Sequence, residues 1–337
     1  MTSREIVSRA IHFQTPPRLP FFQHEVATAP DDVCDCWEMD RARRGWFFDN
    51  GIGTSEDDWG CGWLHTEKKN MGQVVSHPLR DWSRLDSFRP PDARDPFYYE
   101  RIPGVIAEAR DRYVVVTCHF TLMERLHMLH GFPETLEDFY AEPAKIEKLL
   151  DMILGFKLEQ VAELHRRFGD RVHGIFLTDD WGSQQAAFVG IPMFRQFFQA
   201  RYTELFRAIH GCGWDVILHS CGKINALVPS LVEAGVDVLN MQQPRTNGLV
   251  EFGDEWAGKV AFLTTTDIQK TLPALDAAAV RAEAKELVQH WSTPRGGLIV
   301  FNYGAGESIG VSTATTETMF QAFVELKEYW TEKERTP

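Results

Sequence analysis

The stretch "HGCGWDVILHSCG", residues 210–222, runs from a glycine-punctuated helix stop through a short β-branched run into a polar turn. It carries His-x-Cys twice, so its fold decides whether His210, Cys212, His219 and Cys221 share one site or do different jobs. Working outward, short β-branched runs alternate with long amphipathic stretches, the pattern of βαβ units in a parallel sheet. The expected strands are Leu19 to Gln23, Val74 to Ser76, Tyr113 to Cys118, Val172 to Thr178, Val216 to His219, Val236 to Asn240, Val260 to Thr265 and Leu298 to Asn302. The expected helices include Pro143 to Arg167, Pro192 to His210, Ile224 to Ala234, Leu275 to Trp291 and Thr316 to Trp330, two of which open with the proline that suits a first helical turn. Eight strands with intervening helices predict a (β/α)8 TIM barrel with an N-terminal helical and loop extension. Residues 40–91, rich in Trp, Gly and Asp, read as a long irregular excursion, and one domain over 1–337 is expected.

In such a barrel the chemistry sits where the strands end, and the opposite face serves stability. His210 and Cys212 precede the strand, so they fall at the bottom and are expected to be structural. His219 and Cys221 follow it and fall at the top. With about 3.3 Å of rise per strand residue, the two pairs stand roughly 20 Å apart and cannot hold one ion.

Composition narrows the classes. The chain has 337 residues, 44% hydrophobic and 25% charged, and no run approaches a membrane span. The opening MTSREIVSRAIHF lacks the apolar core of a secretory signal, so a cytoplasmic location is expected. Six cysteines are too sparse for a disulfide framework in a chain this long and read as thiols or metal ligands. A net charge of -13 argues against a nucleic-acid surface.

Imidazole and thiolate two residues apart on a strand-to-loop turn form a favoured zinc donor pair, although a buried histidine beside an apolar cysteine has the same spelling. Other strand ends supply company. Asp179 and Asp180 follow the preceding strand, where one carboxylate would suffice as a helix cap. Gln23-His24-Glu25 ends the first strand, Cys118-His119 the third, Thr266-Asp267 the seventh, and the eighth runs on to Glu307. Asp179, Asp180, Glu25 and His24 are the candidate catalytic groups, either orienting His219 or moving protons. Cys34-Asp35-Cys36 reads as part of an acidic helix whose thiols diverge. His127 and His130, on an expected helix from Met123 to His130, read as surface or wedge residues, and Cys61 as a packed loop residue.

"LTDDWGSQ", "PMFRQFF", "GWDVILHSCGKINALVPSLVEAGVDVLNMQQP" and "LTTTDIQKTLP" resemble the uroporphyrinogen decarboxylase superfamily, in particular its corrinoid-dependent methyltransferase-like branch. The resemblance runs from "SREIVSRAIHF" to the last helix and is strongest over residues 172–273. It implies the same barrel, with His219 and Cys221 matching the His-x-Cys of a zinc site that a later cysteine completes. Here no cysteine follows Cys221, which leaves Glu307, an N-terminal group such as Glu25 or His24, or a substrate atom as third ligand. The implied activity is methyl transfer between a small methylated compound or thiol and a corrinoid carried by a separate protein, since the chain has no Asp-x-His-x-x-Gly cobalamin motif. The alternative is a metal-free carboxy-lyase-like or small-ligand-binding relative. Uroporphyrinogen decarboxylation itself is disfavoured, because "PPRLPFFQHEVATAP" at 16–30 offers only Arg18 to a polycarboxylate.

Overall fold

The computed structural model describes residues 1–23, 26–37, 52–67, 72–304 and 306–330. Eleven strands occur in chain order among them: β1 Phe21–Phe22, β2 Val33–Cys36, β3 Gly53–Glu56, β4 Gly62–His65, β5 Gln73–Ser76, β6 Tyr113–Cys118, β7 Gly174–Thr178, β8 Asp215–His219, β9 Val238–Met241, β10 Ala261–Thr264 and β11 Leu298–Phe301. Eight form one parallel sheet in the order β1-β11-β10-β9-β8-β7-β6-β2, and helices surround it as in a (β/α)8 barrel. Strands β6, β7, β9, β10 and β11 are buried along their whole length. That is why they read as continuous apolar runs rather than alternating ones.

The sheet is nearly closed, and its seam lies between β1 and β2. There the Asp32 N–H donates to the Phe21 carbonyl at 2.9 Å. The Asp32 carboxylate accepts from Phe21 N–H at 3.0 Å and from both terminal nitrogens of Arg18 at 2.7 Å. A side chain thus completes the edge pairing that two short strands leave open. Inside the barrel, Val33, Val115, Phe176, Ile217, Val238, Leu263 and Ile299 form one apolar cluster with Val7 and Ile11. The first helix, Ser3–Ile11, therefore plugs the bottom of the barrel with its apolar face.

Two expected elements differ. Val74 to Ser76 is not the second barrel strand; it belongs to β5, in a separate antiparallel sheet β3-β4-β5. The second strand is β2, the segment read as an acidic helix, and it pairs in parallel with β6 from Val33 opposite Tyr113 to Cys36 opposite Val116. Its central Asp35 is compatible with a strand because Thr117 Oγ1 donates to it at 2.6 Å. The small sheet is anchored on helix Met123–His130. Asp57 takes Arg125 at 3.0 Å and Trp63 Nε1 at 3.1 Å, and the Cys61 thiol donates to the Met128 carbonyl. Among the described residues no helix is long and apolar enough to cross a membrane.

Candidate metal centre

Strands β7 and β8 run in register with Thr178 opposite His219, so the residues after each leave the barrel side by side. The Asp179 N–H donates to the His219 carbonyl at 3.0 Å, Trp181 N–H to Ser220 Oγ at 3.0 Å, and Cys221 N–H to Asp180 Oδ1 at 2.8 Å. Side chains would forbid this approach at two points. A Cβ on Gly222 would lie 2.1 Å from the Gly182 carbonyl oxygen, and one on Gly182 would lie 2.7 Å from Lys223 N. Gly222 also sits at φ +79°, which L residues with a Cβ rarely adopt. The two glycines are what let Asp180 reach the His-x-Cys turn.

The result is a cluster of three donors. One ligand atom each from Asp180, His219 and Cys221 lies within 4.8 Å of the others. His219 Nε2 is 3.3 Å from Cys221 Sγ and 3.5 Å from Asp180 Oδ1. The imidazole is held from behind: its Nδ1 is 2.7 Å from Asn240 Oδ1. Asn240 Nδ2 donates to the Leu263 carbonyl at 2.8 Å, and Gln242 Nε2 donates to Asn240 Oδ1 at 3.0 Å. With the amide fixed that way, Oδ1 must accept, Nδ1 carries the proton, and the Nε2 lone pair faces the thiol and the carboxylate. Burial, then the charges of Asp180 and Glu124, push the Cys221 thiol well above its ordinary value. Negative and lone-pair atoms thus converge in a half-buried place where a cation would relieve them.

Asp179 has different company. Fully buried, it accepts from the backbone N–H groups of Leu122, Met123 and Glu124 at 2.8, 3.0 and 2.7 Å, and from the Tyr202 hydroxyl. It satisfies the open first turn of helix Met123–His130 from outside that helix. Burial outweighs these four bonds and pushes its carboxyl up to about 6. Tyr202 is brought there by the long segment Ile191–Gly211, whose wide turn at Arg195–Gln199 places Phe194, Phe198 and Tyr202 around the buried Trp181.

Helix Met123–His130 contributes Glu124, which the sequence reading did not single out, and His127 and His130, which it took as surface or wedge residues. Glu124 is buried and accepts from Thr178 Oγ1 at 2.7 Å; burial, then the charges of Asp180 and Asp179, push it well above the carboxylate range. His127 is held down to about 4, first by burial, and senses Asp180. His130 is buried between the Leu79 carbonyl at 2.8 Å and Asp138 at 2.9 Å, the wedge rather than the surface alternative. Only the i, i+3 spacing of Glu124 and His127 hinted at a shared face. Tyr303, from the loop after β11, senses both Cys221 and Asp180.

The remaining candidates lie elsewhere. Glu307 is exposed on the turn Gly306–Ile309 and is not among the three clustered donors, of which Asp180 is the one the sequence reading had not named as a ligand. His24 and Glu25 lie outside the described residues. Asp267 accepts from the N–H groups of Gln269 and Lys270 at 2.9 Å, as a turn cap. At the bottom of the barrel His210 bonds Asp237 at 2.7 Å and Cys212 donates to Ala208, so the first His-x-Cys has local structural partners.

Residues 56–326 match the family described as Uroporphyrinogen decarboxylase (URO-D). The chain belongs to that family. Membership supports an enzyme, at a level that leaves the reaction type to be argued. No curated protein matches the chain. Among solved structures, the catalytic domain of the GH26 endo-β-1,4-mannanase of Bacillus sp. JAMB-750 is similar at 11% identity and a TM-score of 0.41, covering 97% of this chain and 90% of that one. Dispersin B is similar at 13% identity and 0.39, covering 78% and 88%. D-psicose 3-epimerase with D-fructose is similar at 9% identity and 0.39, covering 72% and 85%. Overlaps this loose carry nothing about activity.

Proposed function

We propose that this URO-D family member is a zinc-dependent, corrinoid-linked methyltransferase that moves a methyl group between a small methylated compound or thiol and a corrinoid carried by a separate protein. One observation carries the reading: a carboxylate, an imidazole of fixed tautomer and a thiol converge at the barrel mouth. One nitrogen, one sulfur and one oxygen donor suit a catalytic zinc, which takes three protein ligands and keeps its fourth position for water or substrate. Bound there, zinc would keep an incoming thiol as thiolate at neutral pH or polarise the heteroatom that carries the methyl group.

The chain's own groups do the rest. Asn240 orients His219, and Asp180 supplies the third donor while accepting the Cys221 N–H. Glu124, whose carboxyl burial pushes well above the carboxylate range, is the group proposed to give a proton to the heteroatom that loses the methyl group. Arg18 is spent on Asp32 at the barrel seam, which supports the exclusion of a tetrapyrrole polycarboxylate.

The test is incubation of the zinc-loaded protein with a panel of methylated compounds and a reduced corrinoid, following the cobalt absorption. A donor-dependent spectral change that His219→Ala abolishes is expected. No change with any donor, alongside release of carbon dioxide from a carboxylated substrate, would replace this reading with a carboxy-lyase.

A further inference from the structure

A cavity lies at the end of the barrel opposite the metal centre, where strands begin and chemistry is not expected. It encloses about 540 Å³ between the outward face of helix Ser3–Ile11 and the starts of β6, β7 and β8. Arg4, Ser8, Arg9, His12, Tyr113 and His173 line it. The first helix turns Ile6, Val7, Ala10 and Ile11 inward as the barrel plug, so Arg4, Ser8 and His12, at i, i+4 and i+8, stand on its open side.

The charges here are unbalanced against the composition. Acidic side chains outnumber basic ones 48 to 35, yet neither Arg4 nor Arg9 has a carboxylate within ion-pair distance among the described residues. The two carboxylates at the cavity already have partners. Glu5 accepts the Thr2 N–H at 2.7 Å in a helix-start box, and Asp215 accepts from the Tyr113 hydroxyl and pairs with His12 at 3.0 Å.

His173 makes the cavity's need specific. Its Nδ1 accepts the Val114 N–H at 2.8 Å, so in the neutral ring Nε2 carries the proton. Burial, with the Arg4 charge, holds this imidazole down to about 4, so it is neutral in ordinary buffer. Nε2 nevertheless lies 3.4 Å from Arg4 Nη1, which is also a donor. Two donors face each other with no acceptor of the protein between them, and an oxygen atom placed against both would satisfy both.

We propose that this cavity binds the phosphate group of a small molecule, with Arg4, Arg9 and the Nε2–H of His173 as donors and the Ser8 hydroxyl within the same wall. Two guanidinium groups and an imidazole N–H match the three terminal oxygens of a phosphate, and both carboxylates of the cavity are already bonded within the protein. The cavity is far larger than the ion itself, which favours a phosphomonoester over free phosphate. The proposal is independent of the metal centre.

Calorimetric titration at constant ionic strength tests it, with inorganic phosphate and glycerol 3-phosphate as probes. Saturable one-to-one binding of both is expected, tighter for the ester. In Arg4→Gln/Arg9→Gln the affinity should fall about a hundredfold for two lost charge-assisted contacts, with the melting temperature of the ligand-free protein unchanged. Absence of saturable binding to the unmodified protein would overturn the proposal, as would equal binding by the double variant or an equal response to chloride. Binding of free phosphate as tight as the ester would overturn the assignment to an ester.

Discussion

Replacing Asp179 with alanine separates two neighbouring carboxylates to which the structure gives opposite jobs. Asp179 holds three backbone N–H groups of the turn 122–124 and the Tyr202 hydroxyl, all buried. Hydrogen bonds to a charged partner contribute about 1.5–3 kcal/mol each, and water entering the gap recovers part of the loss, so a destabilisation of about 3–5 kcal/mol follows. Asparagine keeps one acceptor but turns an NH2 group toward a donor, and about 2 kcal/mol is expected for it. Asp180→Asn, by contrast, still accepts the Cys221 N–H and should cost below about 1 kcal/mol while losing metal. Urea denaturation read by tryptophan fluorescence, with metal content measured on the folded protein, distinguishes the two. An unchanged midpoint in Asp179→Ala, or a comparable loss of stability in Asp180→Asn, would refute the division of labour.

Other substitutions probe the supports of the site. Gly222→Ala would put a methyl group 2.1 Å from the Gly182 carbonyl oxygen, so the loops after β7 and β8 must separate and zinc content should fall with most secondary structure retained by circular dichroism. Asn240→Leu removes the nearer acceptor for His219 Nδ1, at 2.7 Å, and leaves it only the backbone carbonyl of residue 240 at 3.2 Å, so competition with a chelator should show zinc affinity reduced about tenfold or more. The His12 pKa is raised, chiefly by its hydrogen bond to Asp215. A raised folded value means the pairing stabilises fully below the ordinary histidine range and is lost as pH rises through the higher value. Thermal stability measured from pH 6 upward should therefore fall more steeply for the unmodified protein than for His12→Gln.

The barrel was legible where strands are buried on both faces: Tyr113–Cys118 occurs with the bounds its sequence predicts. The second strand was not, because Val33–Cys36 is short and carries Asp35, whose acceptor need is met by Thr117 across the sheet. Val74 and Val75 have the stronger β-branched signal, yet they form the small sheet that rests on Arg125 through Asp57. At the site, His219 and Cys221 could be placed by counting from a strand end. The role of Asp180 as third donor depends on two glycines meeting across different loops, a contact no local pattern encodes. Glu124 and His127 were missed for a similar reason, since which face of an eight-residue helix turns inward is set by Asp179, more than fifty residues away.

Zinc stoichiometry tests the central claim most directly. Protein purified without chelators should contain about one zinc per chain, and Asp180→Asn, His219→Ala and Cys221→Ser should each lose it while Glu307→Gln retains it. A metal-free protein, or zinc that survives in Cys221→Ser, would contradict the account.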